Sequence, residues 1–391
     1  MGKKKYIFIL IALFSSKLFS QNVSAYIDKN GGFYIFDNGI STRYELQSPI
    51  SYKIGGNCIA YLDNSSTFKI YYNGKVIKPF GDNIIDNYTV THNLVLFTAR
   101  NTILVFDQGK TDTLTTYRGY NPGVNDSLVV FQEGNTKSLL VYYKGKIDTL
   151  AIPASDLPGY YSGFGHYGYS YHYETGKNIV AFIDNLELKV FYQNNLYTLL
   201  KLPKSKKNNP YSYPIADNPN LKLGNNIVSF INPATKELSV FYKGLSYKLS
   251  KRVYEVQTGD DMVAYDDSLG LHVFYSGKNY DLAPVSTWVG YKPTTFSVKD
   301  STLTYYTKGR LKVFINGDIT DINDRWPGDY KVDTKLVVWL DLQNNLNALY
   351  DGKTYTLSTF VRPFGYAVSG NTVWFKVSPN EDHVFFKGKI Y

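Results

Sequence analysis

Cysteine is nearly absent from this chain: of 391 residues only Cys58 carries a thiol. An internal disulfide is therefore impossible, and the fold must rest on its apolar core, for which the chain is amply long. Good helix formers are scarce as well, with 13 alanines and seven glutamates, which argues against an α-rich domain. Long apolar runs are missing: the longest, Tyr6 to Phe14, has nine residues, where a membrane-spanning helix needs about 20. Dense charge of one sign is missing too. Outside the first twenty residues, Lys201, Lys204, Lys206 and Lys207 form the one basic cluster, so a nucleic-acid partner is not expected.

What is abundant is aromatic. Tyr and Phe number 37 and 23, and with the β-branched residues they suit pleated sheet. The first twenty residues stand apart. Lys3, Lys4 and Lys5 precede the nine-residue apolar run, Lys17 closes it, and Ser20 precedes Gln21. That three-part order predicts a cleaved secretory signal over 1–20 and a mature chain over 21–391, exported and without a membrane span. Removing four leader lysines leaves 38 basic against 33 acidic residues, a net charge of +5 in place of +9. No cysteine follows the run, so no lipid anchor is expected.

One pattern recurs from end to end. A short extended piece precedes Asn or Asp, followed by an apolar strand, a turn, an apolar-aromatic strand, a Gly turn and a short closing strand. Clear copies pair Asn178–Asp184 with Leu188–Tyr192, Asn226–Phe230 with Leu238–Gly244, and Asp261–Asp266 with Leu271–Gly277. Aligned on the turn residue, the series runs Gly39, Gly74, Gly109, Gly145, Asn194, Gly244, Gly277, Gly317, Gly352 and Gly388. Ten copies at a near-constant period specify a repeat architecture. Gly or Asn is required there because a tight hairpin turn needs positive φ. In Leu-Lys-Val-Phe-Tyr both strand faces carry apolar bulk, as expected of a sheet packed between two neighbours. The prediction is an all-β propeller of about ten four-stranded antiparallel blades. One ring is preferred, two five-bladed rings with a split near 201–210 are the variant, and an open β-solenoid is the other architecture. The first copy lacks a leading strand. Cys58 occupies a position that is apolar in other copies and is expected to be a buried thiol.

Motifs that carry chemistry are few. Gly163-Phe-Gly165-His-Tyr-Gly168 has the form Gly-x-Gly-x-x-Gly, but no helical pattern follows, so it does not read as a nucleotide loop. The five histidines, His92, His166, His172, His272 and His383, lack paired metal spacing. Asp318, Asp321, Asp324 and Asp329 lack the spacing of a calcium loop and read as turn residues. Asp63, Asp184 and Asp341 follow apolar strands, where turns favour aspartate. No catalytic residue, metal ligand or cofactor is assigned. Asp112, Asp126, Asp148, Asp267 and Asp300 each begin an Asp-Ser/Thr triplet, a pattern resembling O-glycosylation acceptors of Bacteroidota.

Two segments break the period: 153–176, rich in Tyr, Gly and Ser, and 201–223, which carries the lysine cluster. Long loops on a rigid repeat are where binding concentrates, and tyrosine supplies large contact area at low entropic cost. Tyr160, Tyr161, Phe164, His166, Tyr167, Tyr169, Tyr171, His172 and Tyr173, with Tyr211 and Tyr213, are the predicted protein-interaction residues.

In its repeat form and export signal the chain resembles exported β-propellers of the Bacteroidota cell envelope. Among such proteins are accessory subunits of the type IX secretion channel, including a plug-like one. The resemblance implies a non-catalytic periplasmic scaffold docking a cell-envelope protein, with an extracellular location as the variant. The rival reading is a carbohydrate-binding or glycoside-processing propeller, with Trp288, Trp326, Trp339 and Trp374 available to stack on sugars. Trp339 and Trp374 fall inside the first apolar strand of their repeats and are expected to be core.

Overall fold

The structure, a computed structural model, describes residues 23–28, 30–37, 40–81, 85–117, 120–153, 171–203, 219–284, 295–323, 329–333, 335–359, 365–369, 372–378 and 381–391. Among them there is no helix. The strands form ten antiparallel sheets in sequence order, spanning 24–45, 51–77, 87–115, 120–151, 173–201, 222–250, 253–284, 296–323, 330–358 and 365–390. The first sheet has three strands, lacking the leading one, and the other nine have four in simple meander order. These are the ten repeats read from the sequence, and they are called blades one to ten below. The chain divides into two compact units, residues 1–100 with 104–112, and 101–103 with 113–391. The first unit holds blades one, two and most of three; the second holds blades four to ten.

The hairpin between the third and fourth strands is built alike in every described copy. Its first residue has φ between 47° (Gln108, Asp351) and 55° (Asn316), and its second between 63° (Asn194) and 96° (Gly317). Two successive positive φ values define the type I′ turn, whose twist matches that of the flanking strands. The aligned Gly or Asn is therefore required, as the spacing predicted; Gly39 lies outside the described residues.

In the second unit, alternate residues of each blade serve opposite neighbours. Ile179, Ala181, Leu188 and Val190 of blade five pack on Val228, Phe230 and Phe241 of blade six. Val180, Phe182 and Phe191, on the other face, pack on Leu128, Val130, Leu139 and Val141 of blade four. Burial on both faces is why the strands show no clean polar alternation.

The aromatic content has a specific use here. In blades six, seven, eight and ten the phenylalanine that follows the valine of the third strand is held by two tyrosines of the preceding blade. Phe241 meets Tyr192 edge-on at 6.1 Å and 80°, and Tyr197 at 5.0 Å and 55°. Phe274 meets Tyr242 and Tyr247, Phe314 meets Tyr275 and Tyr280, and Phe385 meets Tyr350 and Tyr355, at 4.8 to 6.2 Å. Such pairs each add about 1 kcal/mol beyond the burial of their area. In the first unit, Tyr72 meets Phe106 the same way at 5.6 Å and 78°.

Where the third strand admits a lysine after its first leucine or phenylalanine, an acid of the same blade answers it. Lys189 pairs with Asp184 at 2.7 Å, Lys312 with Asp321 at 3.1 Å, and Lys69 of the first unit with Asp63 at 2.8 Å. Cys58 is fully buried, and burial pushes its thiol up to about 12, as expected of a core residue. Trp339 is buried, but Trp374 is 40% exposed. The expectation of a core Trp374 is thus corrected: it lies on the strand face opposite Val373 and Phe375, which pack on blade nine.

Candidate binding surface

Because successive strands of a blade alternate in direction, its connections fall at two ends. One end carries the turn from leading to second strand and the hairpin from third to fourth. The other carries the turn from second to third strand and the link from the fourth strand to the next blade. These two ends are built differently.

At the first end the turns are tied together by hydrogen bonds running in one direction. Lys177 N–H donates to Gly224 O at 3.2 Å, Asn225 N–H to Asp260 O at 2.7 Å, and Asp260 N–H to Asp300 O at 2.8 Å. Side chains repeat the motion: the Asn178 amide donates to Asn225 Oδ1, and Asn226 Nδ2 to Asp261 Oδ1 at 3.1 Å. The recurrent Asn or Asp seen before each apolar strand is this inter-blade link. The glycines here are demanded by close approach. A Cβ on Gly176 would lie 2.0 Å from Gly224 O, and one on Gly224 would lie 1.7 Å from Gly259 O. In the first unit Gly55 stands likewise against Thr91 O, and Asn57 N–H donates to His92 O at 2.9 Å. Lys177 adds an ion pair to Asp260 Oδ2 at 2.9 Å.

The second end holds both insertions. Residues 152–172 join the strands Lys146–Ala151 and Tyr173–Thr175, and residues 202–221 join Asn195–Lys201 and Lys222–Leu223. Both are links from a fourth strand to the next leading strand, in consecutive blades, so they leave from the same end. That end carries the exposed apolar side chains Tyr117, Ile152, Tyr254, Leu269 and Leu342 of the second unit, as the first end carries Ile147, Leu196, Leu245, Ile319 and Ile390. Its shorter turns are capped from within. Asp341 Oδ1 accepts from the N–H groups of Gln343 and Asn345 at 2.9 Å each, and Asn232 Oδ1 accepts from Ala234 N–H at 2.9 Å. Although burial works against it, these bonds hold the Asp341 carboxyl below its ordinary value.

Of the predicted interaction residues, Tyr160, Tyr161, Phe164, His166, Tyr167, Tyr169, Tyr211 and Tyr213 lie outside the described residues. The three that are described mark where the first insertion returns to the blade. Tyr171 is buried in the core shared by blades four and five, and Tyr173 packs against the same core. The carbonyl of His172 accepts Ile183 N–H at 3.1 Å. The sequence missed Tyr117, Ile152, Tyr254, Leu269 and Leu342; all but Tyr254, which is the second residue of the strand Val253–Thr258, lie just outside strand ends among turn residues, and that place was the available signal.

Blade seven contains the one arrangement that suggests catalysis. His272 Nδ1 lies 2.8 Å from Asp281 Oδ1 and its Nε2 lies 3.1 Å from Asp267 Oδ1, while Ser250 Oγ donates to Asp267 Oδ2 at 2.8 Å. A nucleophilic triad needs serine on the imidazole. Here both ring nitrogens face carboxylates and the serine binds an acid, so the group is a structural counterpart of the Lys–Asp pairs. Among the described residues no three His, Cys, Asp or Glu side chains converge as metal ligands would.

Residues 17–391 match a sequence family described as a 10-bladed beta propeller domain, a single ten-bladed unit in place of two five-bladed ones. No curated protein matches the chain. Among solved structures it is similar to the computationally designed Ika8 protein, at 15% identity and a TM-score of 0.27, covering 86% of this chain and 93% of that one. It is similar to a eukaryotic initiation factor at 12% identity and a TM-score of 0.38, covering 85% and 94%. It is also similar to PorZ, a surface component of the type-IX secretion system of Porphyromonas gingivalis, at 10% identity and a TM-score of 0.26, covering 93% and 56%. Similarity at these levels carries no functional argument.

Proposed function

The chain belongs to the 10-bladed β-propeller family, and from that premise we propose that it is a non-catalytic scaffold of the periplasm. Its insertion-bearing end docks a protein of the cell envelope. The observation that carries this reading is that both long insertions leave from the same end of consecutive blades. Long loops on a rigid repeat scaffold are where binding concentrates. The export signal in residues 1–20 supports an envelope location, and an outer-membrane secretion channel is the partner class the resemblance favours.

The test is affinity capture from native envelope with the intact protein and with a variant whose residues 156–169 are replaced by a short Gly-Ser linker. Tyr171 and Tyr173 are kept because they pack in the blade. Reproducible partners lost from the folded variant support the reading; equal recovery of the same partners overturns the role of this end. A carbohydrate ligand is the second reading. Trp374 favours it, standing exposed where its counterparts Ala181 and Ala264 are buried. Binding on a glycan array that is lost in Trp374→Ala would establish it.

A further inference from the structure

Blade seven departs from its siblings in charge. Residues 253–284 carry Glu255, Asp260, Asp261, Asp266, Asp267 and Asp281 against Lys278 alone, in a chain of net charge +9. Most of these acids have an explanation. Asp260 accepts from Lys177, and Asp267 and Asp281 flank His272. Asp266 does not. It occupies the fifth position of its strand, where blades two, five, six and nine have Leu62, Ile183, Ile231 and Leu340. It is 3% exposed, and its Oδ2 has no hydrogen-bond partner among the described residues.

Its setting is apolar and, where charged, mostly hostile. Asp266 shares a strand face with Met262 and Ala264, which pack on Phe296, Leu303 and Tyr305 of blade eight. Glu255 stands opposite it on the leading strand, Leu271 on the third. Asp267 adjoins it, and both acids oppose its ionisation; His272 across the sheet favours it. Taking a carboxylate out of water with only the Asp267 N–H to bind it is costly, and that cost favours the protonated form.

We propose that Asp266 makes blade seven a pH-responsive joint of the scaffold, tight while its carboxyl is neutral and loosened when the carboxyl ionises. Burial first, then Asp267 and Glu255, raise this carboxyl above its ordinary value. A group raised in the folded state contributes its stability below its unfolded value and loses it as pH rises through the folded one. The joint therefore tightens on acidification, opposite in sense to the Asp341 turn.

The test compares the melting temperature of the intact protein with that of Asp266→Leu, which restores the residue found in blades two and nine, from about pH 4.5 to about pH 7.5. The variant is expected to melt higher, with a gap that widens by several degrees across this range. A gap that stays constant, or none, overturns the proposal. Asp266→Asn, isosteric and neutral at every pH, guards against misfolding of the leucine variant and is expected to show the same widening. Hydrogen exchange gives a local readout. After correction for the intrinsic pH dependence, amides of 262–267 and 270–275 should lose protection with rising pH in the intact protein and not in Asp266→Asn. Equal protection changes in both would also overturn the joint.

Discussion

The two ends of the blades make an instructive pair. At the belt end the turn between leading and second strands is two or three residues in each of the nine four-stranded blades, and the hairpin between third and fourth strands is always two. At the other end the links between blades run from the two residues 251–252 to the twenty-one residues 152–172. The difference has a physical origin. Belt turns touch one another, so an added atom meets a neighbouring carbonyl. Turns at the other end are satisfied within themselves, as at Asp341, so length and sequence are free to vary there. Constraint at one end leaves the other available for binding.

This contrast is open to direct attack. The largest effect is expected from the interior that both ends share. Phe241→Ala removes the ring held by Tyr192 and Tyr197 and should cost about 4 kcal/mol in denaturant unfolding. Next, at the belt, Gly224→Ala forces a Cβ toward Gly259 O and should cost about 3 kcal/mol, read as a lowered melting temperature. At the other end, Asp341→Asn keeps the turn geometry with a weaker acceptor, for a loss of about 1 kcal/mol near neutral pH. Because its carboxyl is held low in the fold, the Asp341 contribution is present at neutral pH and disappears as pH falls through the folded value. The difference between the intact and variant proteins should therefore close in acid. Smallest of all, Leu269→Ser with Leu342→Ser should change stability by less than about 0.5 kcal/mol while reducing partner capture. A large loss of stability in that double variant, or a silent Gly224→Ala, would erase the distinction between the ends.

Much of the fold was legible because it is written locally and repeated. The turn glycines announce positive φ, and the doubly apolar strands announce two neighbours. Other features were visible as letters but not as contacts. The Asn or Asp before each apolar strand marked the repeat, yet its partner lies in the next repeat, beyond the reach of any local pattern. Trp374 sits at a position that is buried in other blades, so the repeat pattern alone could not show that it is exposed. Tyr171 and Tyr173 continue the composition of the insertion without a break, so nothing in the sequence marks where loop ends and packing begins. The structure brings together none of the other predicted interaction residues, which lie outside the described ones.

The tyrosine pair that grips each phenylalanine also bears on how such a chain grows. Every described junction in the second unit from blade five to blade eight offers the same ring to the same two hydroxylated rings. Blades six and seven therefore carry a plug on one side and a matching socket on the other. Duplication of either of these blades would create a junction that already fits, with no new interface to invent. In this chemistry the number of blades is a matter of gene history, and individuality is left to the links between them.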